Sequence, residues 1–113
     1  MIYLVTGEFD NCEMYEDHFS WTEVFGIVDS LELGKEWIRE RKQYYEDECK
    51  ANIEKRLKKE PDISWNFGLD SYEEHEDEEH YEASFHVILE TYEEISCCCT
   101  VKKIELNTKL INY

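Results

Sequence analysis

A long helical pattern lies between Ser30 and Pro61, and it constrains the fold more than any other feature of the sequence. Its apolar residues recur at multiples of about four, the spacing of one helix face. They are Leu31, Ile38, Tyr45, Cys49, Ile53 and Leu57, flanked by Trp37, Tyr44 and Ala51. Asp29 with Glu32 fits a capping box, Ser30 is an alternative cap, and Pro61 ends the pattern. A helix over residues 31–59 is about 43 Å long at ~1.5 Å per residue, which is longer than a compact domain of this size usually spans. We therefore expect it to bend, to split, or to project and meet a partner.

Strand patterns flank this helix on both sides. The predicted strands are Ile2 to Thr6, which reads as buried on both faces, then Trp21 to Val28, Ile63 to Leu69, Tyr81 to Tyr92 and Cys97 to Leu106. Leu110 to Tyr113 extends or caps the last strand, Glu93 to Ser96 forms a turn, and residues 8–19 form an acidic loop. The sequence therefore predicts an α+β fold. We expect a single domain over residues 1–113, with an antiparallel β-sheet in the order β-β-α-β-β-β and one long helix packed across one face.

The charge of the chain is strongly negative and unevenly placed. It has 28 Asp and Glu against 12 Lys and Arg, a formal net charge of −16. Residues 1–30 hold seven acids and no base, and residues 61–96 hold twelve acids and no base, so these two segments contain all of the excess. Direct binding to nucleic acid or to anionic lipid needs a basic surface, and the charge argues against both.

Thirteen carboxylates in these two segments are candidate partner-binding residues. The first group is Glu8, Asp10, Glu13, Glu16 and Asp17; the second, which we expect in a hairpin loop outside the core, is Asp70, Glu73, Glu74, Glu76, Asp77, Glu78, Glu79 and Glu82. One interpretation is a solvated surface that keeps the protein soluble. The other is a surrogate for the charge of a nucleic-acid backbone, since eight carboxylates match about 14 Å of duplex at one charge per ~1.7 Å. Acids that share one face would favour mimicry, and acids that scatter would weaken it.

Motifs for catalysis or for metal binding are weak. His75, His80 and His86 with Cys97, Cys98 and Cys99 offer zinc-type ligands, but their spacing fits no closed motif. Cys12 with His18 is the closest local pair for nucleophilic chemistry, and the glycines stand singly rather than in a phosphate loop. We therefore expect no enzyme, no metal and no cofactor. The opening residues lack a signal sequence and the five cysteines form no disulfide framework, so we expect a cytoplasmic protein.

The first third of the chain resembles small proteins encoded by phages and mobile elements of low-GC bacteria. The matching residues are Tyr3, Leu4, Val5, Thr6, Gly7 and Glu8, then Val24 and Phe25, then Ser30, Glu32, Lys35, Glu36, Trp37 and Ile38. The resemblance implies a phage or mobile-element origin and carries no catalytic residue. Size and acidity are similar to those of anti-CRISPR proteins.

These observations favour an acidic inhibitor that blocks the basic nucleic-acid-binding groove of a host protein, such as a CRISPR effector. The first alternative is a phage accessory protein that binds another protein through the helix or a sheet edge, with acidity serving only solubility. A second alternative is a small metal-binding enzyme. The broad aromatic flank of the helix, with Trp37, Tyr44 and Tyr45, also suits a homodimer seam.

Overall fold

The computed structural model describes residues 1–62 and 64–105, with the backbone alone at Tyr15. It is an α+β fold with a five-stranded antiparallel sheet and one long helix. The elements are β1 (Ile2–Asp10), a short 3₁₀ turn (Tyr15–Asp17), β2 (Ser20–Val28), α1 (Leu31–Lys59), β3 (Gly68–Glu76), β4 (His80–Glu90) and β5 (Glu93–Ile104). Among these elements, no helix is both long and apolar enough to cross a bilayer.

The strands lie in the spatial order β2-β1-β5-β4-β3. Among the described strands, β1 and β5 are therefore neighbours near the centre, and β2 and β3 form the edges. Successive side chains of a strand point to opposite faces of a sheet. The burial of β1 and β4 alternates accordingly. The prediction that the strand from Ile2 to Thr6 is buried on both faces is wrong, because Ile2, Leu4 and Thr6 on its second face are only partly buried.

The core lies between α1 and one face of the sheet. Its buried residues come from the helix and all strands except β3: Tyr3, Val5, Phe9, Val28, Ile38, Tyr45, Cys49, Tyr81, Ala83, Phe85, Val87, Leu89, Cys97, Cys99 and Val101. The helix lies mainly over β4. Gly34 lets the helix approach β5 closely, because a Cβ atom at this position would stand 2.6 Å from Cγ1 of Val101. We call the opposite side of the sheet, which no described element covers, the open face.

The helix is one unbroken element of 29 residues. Ser30 is the N-cap, and its hydroxyl accepts a hydrogen bond from the N–H of Leu33 at 3.2 Å. At the other end the amide of Asn52 donates to the carbonyl of Leu89 at 2.6 Å. The predicted apolar stripe is only partly buried, since Tyr44 and Leu57 are 56% and 40% exposed. The sheet is too small to cover a helix of this length along its whole face.

The predicted strand from Ile63 to Leu69 is wrong over residues 64–67, and the predicted acidic loop after it is wrong as well. Residues 64–67 have no strand structure, Ile63 lies outside the described residues, and β3 runs from Gly68 to Glu76 through the acidic run itself. Trp65 packs under the guanidinium of Arg56, with 5.1 Å from the ring centroid to Cζ. Acids are tolerated in β3 because an edge strand leaves them access to water. Only Asp77 to Glu79 remains as the connection to β4.

The other strand boundaries also differ from expectation. β1 continues past Gly7 to Asp10, and β5 begins at Glu93, where a turn was predicted. The turn between β4 and β5 is only two residues long, and Tyr92 adopts the left-handed region there with φ of 64°. Predicted structure at Leu106 and from Leu110 to Tyr113 lies outside the described residues.

Candidate functional site

The first acidic group divides between the open face and a loop. Glu8 and Asp10 alternate with the buried Phe9 in β1, which places both carboxylates on the open face. The remaining three, Glu13, Glu16 and Asp17, lie in the connection from β1 to β2, at the end of the sheet that also holds the turn between β4 and β5.

Asp10 is the most highly connected carboxylate of this group. Its Oδ2 lies 2.7 Å from Nε2 of His18 and accepts the hydroxyl of Ser20 at 3.0 Å, and its Oδ1 accepts the N–H of Cys12 at 2.7 Å. The hydrogen bond with His18, followed by that from Cys12, lowers the pKa of Asp10. These contacts fix the loop to the end of β1 and leave Asp10 ionised.

The same cluster has the residue types of a hydrolase but not their arrangement. A nucleophile and an orienting acid must contact different nitrogens of the histidine ring. Here Asp10 and Ser20 both face Nε2 of His18, at 2.7 and 3.4 Å. Burial, with Asp10 nearby, also raises the pKa of the Cys12 thiol, so this cysteine is not an activated thiolate.

The second acidic group is split between the two faces of β3 and β4. Glu73 and Glu82 lie on the open face, because Glu73 pairs with Ser84 and Glu82 with Thr100. At the bulge of β3, Asp70 reaches the same face and lies 3.0 Å from Nδ1 of His86.

The helix side of β3 holds carboxylates that act within the fold. Glu74 accepts hydrogen bonds from the hydroxyls of Tyr81 at 2.6 Å and Tyr72 at 3.0 Å, and these bonds lower the pKa of Glu74. Glu76 binds the ammonium of Lys35, a lysine that is only 8% exposed. Both carboxylates therefore support the attachment of β3 and are poor candidates for a partner.

The sequence contained one signal for this arrangement that its interpretation missed. Lys35 lies three residues before Ile38 on the same face of the helix, so its side chain points toward the sheet. A lysine in such a position needs a carboxylate partner, because a buried charge without one is costly. In the structure its partners are Glu32 of the same helix and Glu76 of the acidic run.

The remaining acids of the second group lie at the turn between β3 and β4. Asp77 accepts the N–H of Glu79 at 2.9 Å, and Glu79 forms an ion pair with Lys103 at 2.9 Å. Glu78 is exposed. This turn is at the opposite end of the sheet from the loop that holds Glu13, Glu16 and Asp17, so the loop acids do not form one cluster.

The two groups meet only on the open face. A cross-strand row runs from Glu8 through Cys98 and Ser84 to Glu73. Three strand spacings of about 4.8 Å separate the ends of this row by about 14 Å. Glu82 is the diagonal neighbour of Glu73, at about 7–8 Å. Among the described Lys and Arg residues, Lys102 is the one whose register places it on this face.

A shallow depression of about 420 Å³ lies along this row. Its polar lining is rich in hydroxyl groups and includes Glu8, Asp10, Ser20, Thr22, Ser84, Ser96 and Cys98. The thiol of Cys98 donates to Glu82 at 3.1 Å, and burial raises its pKa, so it is a neutral donor rather than a reactive thiolate. The depression offers polar groups to a ligand but no activated nucleophile.

Three histidines lie on the open face, and one of them contacts carboxylates. His86 lies between two acids: Nδ1 contacts Asp70 at 3.0 Å, and Nε2 faces Glu94 at 2.9 Å without the alignment of a hydrogen bond. His75 pairs with Glu82 and His80 with Lys102 across neighbouring strands. Within residues 1–62 and 64–105, no group of three His, Cys, Asp or Glu side chains is arranged to hold a metal ion, and no cysteine is in a disulfide.

Comparison of the chain with protein-family models, curated proteins and solved structures finds no match.

Proposed function

We propose that this protein is a non-catalytic, acidic modulator that binds the basic nucleic-acid-binding groove of a host protein through the open face of its sheet. The observation that supports the proposal is that five of the thirteen candidate carboxylates, drawn from both acidic segments, share one face that no described element covers. Glu8 and Asp10 from the first segment share that face with Asp70, Glu73 and Glu82 from the second.

The charge density of this face sets the strength of the expected competition. With Glu94, the face carries six carboxylates over a width of four strand spacings, about 19 Å. A duplex of that length carries about eleven charges. The face therefore has about half the charge density of a duplex. We expect it to attract a basic groove and to speed association at low salt, and we expect the affinity to fall steeply as salt rises.

The origin and the partner rest on the opening residues. We propose, from the resemblance of Tyr3 to Glu8 to phage and mobile-element proteins, that the chain acts against a defence system in the bacterial cytoplasm. A CRISPR effector is a basic nucleic-acid-binding protein of the required kind. This proposal needs no cofactor and no direct contact of the chain with nucleic acid.

Charge reversal on the open face tests the proposal. The test variant combines Glu8→Lys and Glu73→Lys, two exposed acids with no ion pair among the described residues. The control combines Glu36→Lys and Glu54→Lys, which are equally exposed on the outer side of α1 and change the net charge by the same amount. Glu74 and Glu76 are left unchanged, because reversing their charge would break their hydrogen bonds to Tyr81 and Lys35 and so change the stability of the fold as well as its surface charge.

The measurement is capture from a nuclease-treated bacterial lysate on immobilised protein, followed by steps of salt or duplex DNA. We expect nucleic-acid-binding proteins that duplex DNA displaces, with capture lost in the open-face variant and kept in the control. Equal loss in both variants, or captured proteins that duplex DNA does not displace, would contradict the proposal. Capture that persists at high salt and in both variants would instead support an interaction module that uses the helix or a sheet edge.

A further inference from the structure

We propose that two copies of this chain join edge to edge through β2, antiparallel about a two-fold axis, to form one ten-stranded sheet. The inference starts from the difference between the two edges of the sheet. An open edge exposes unpaired backbone groups, and proteins normally protect it with charges. β3 has that protection, with four acids, Asp70, Glu73, Glu74 and Glu76, among nine residues. β2 has one acid, Glu23, and its carboxylate is paired with Arg41 of the helix.

The exposed side chains of β2 are also apolar. Val24 is 69% and Ile27 51% exposed, and both lie on the open face because they pair with Thr6 and Leu4 of β1. With Leu4 they form a small apolar patch at this edge of the sheet. The acids of β3 lie at the opposite edge. Single exposed apolar residues are ordinary, but two such β-branched residues on an unprotected edge favour a partner strand.

The length of regular strand defines how a partner strand would pair. β2 has a bulge, since Val5 pairs with Gly26 and Thr6 with Val24, which leaves Phe25 as the extra residue. The regular part of the edge is therefore Ser20 to Val24. Antiparallel pairing about Thr22 places Thr22 opposite its own counterpart and Val24 opposite Ser20 of the other copy, a pairing that is self-complementary as a two-fold axis requires.

Charge identifies a second copy as the occupant rather than a basic peptide. A basic strand would find no free carboxylate on β2, because Glu23 is neutralised by Arg41 and the open-face residues are Ser20, Thr22, Val24 and Ile27. Among the acids of β1 and β2 that have no ion pair, the nearest across the joined edges would be the two copies of Glu8, three strand spacings or about 14 Å apart. That distance exceeds the screening length of about 8 Å at physiological salt, so these two acids oppose the contact only weakly.

Sedimentation equilibrium with a matched pair of variants tests the dimer. We expect the wild-type chain to show twice its mass of 13.7 kDa and to keep that mass from about 0.05 to about 0.5 M salt, because the contact is neutral. Val24→Lys should raise the dissociation constant of the dimer about tenfold or more, because it replaces an apolar side chain on each joined edge with a charged one that protects a strand edge from pairing. Ser71→Lys makes the same charge change on the open face of the opposite edge and should leave the dimer intact.

Hydrogen exchange of the wild-type protein keeps the test decisive if Val24→Lys fails to fold. Outward amides of β2 should exchange more slowly as protein concentration rises, while those of β3 should not change. A monomer at about 0.1 mM at every salt concentration, or a dimer weakened equally by both variants, would overturn the proposal. This outcome is independent of the capture experiment, because none of the variants used there changes a residue of β2.

Discussion

The ammonium of Lys35 lies 3.0 Å from both carboxylate oxygens of Glu76, forty-one positions further along the chain. This contact joins the first turn of α1 to the end of the edge strand β3. Lys35 also approaches Glu32 at 3.2 Å and lies over the ring of Tyr81, 5.2 Å from its centroid. A cation that is nearly excluded from water thus attaches the most acidic strand to the helix.

Replacement of Lys35 by Met should lower the free energy of unfolding by about 1–2 kcal/mol. Charged hydrogen bonds contribute about 1.5–3 kcal/mol, and the larger values are reduced here because Glu76 is half-exposed. Urea denaturation at neutral pH measures the change. Lys50→Met removes an exposed lysine of the same helix that has no ion pair among the described residues, and it should cost less than about 0.5 kcal/mol. Equal losses in the two variants would show that Lys35 has no special structural role.

The pH dependence of this contact has a definite sign. The hydrogen bond to Glu76 raises the pKa of Lys35 against the opposing effect of burial. A raised pKa in the folded state contributes stability below the pKa of the unfolded lysine, and that stability is lost as pH rises through the folded value. The stability difference between the wild type and Lys35→Met should therefore be constant near neutral pH and shrink above about pH 10.4. A difference that is unchanged at high pH would contradict this.

Glu74 should make the protein sensitive to acid. Hydrogen bonds from Tyr81 and Tyr72 lower its pKa, so its contribution is present above the ordinary glutamate value of about 4.3 and is lost as pH falls through the folded value. The Glu74→Gln variant should melt at a lower temperature than the wild type at neutral pH. The gap between their melting temperatures should close on acidification. Glu73→Gln, its exposed neighbour on the other face, should show no such convergence.

Gly34 is expected to be intolerant of a side chain. An added Cβ would lie 2.6 and 2.8 Å from the two methyl groups of Val101. Overpacking costs about 1–3 kcal/mol, which outweighs the gain of up to ~1 kcal/mol in helix propensity for Gly34→Ala. Val101→Ala should partly relieve this cost in the double variant, with a coupling of about 1 kcal/mol or more in unfolding experiments. Additive effects would mean that the helix can move away from β5.

The identity of the helix cap can be tested by two alanine substitutions. Ser30→Ala should cost about 1 kcal/mol, because its hydroxyl satisfies the N–H of Leu33. Asp29→Ala should cost less than about 0.5 kcal/mol, since its side chain makes no capping bond in the structure. A larger loss at Asp29 would assign the cap to the capping-box alternative. Thermal denaturation of the two variants under one buffer distinguishes these results.

Local signals predicted some elements well and others poorly. The predicted bounds of the helix agree with the observed ones, because the signals at its ends are local: Ser30 caps the first turn, and Pro61 prevents the helix from continuing. The edge strand β3 was missed because its acids resemble a loop, and only contacts with Tyr81 and Lys35 from distant elements explain why they are ordered. The alternating residues near Trp65 resemble a strand, but none of the described strands pairs with them.

The sharing of one face by Glu8 and Glu73 could not be read from the sequence for a related reason. Alternation in each strand gives two faces, but it does not say which face of β1 lies beside which face of β3. That relation depends on β5 lying between β1 and β4. Strand order is a property of the whole chain, and no local pattern encodes it.

The central position of β5 also has a consequence for how the protein is made. Ile2 pairs with Ile104 and Thr6 with Thr100, so the middle of the sheet joins residues almost a hundred positions apart. Pairing of distant segments is slow because the loop must close before any contact forms. During synthesis, β1 and β2 can form a hairpin early. The other edge of β1 remains unpaired until β5 has left the ribosome. Until then the nascent chain exposes an apolar strand, and this interval is when we expect chaperones to bind it.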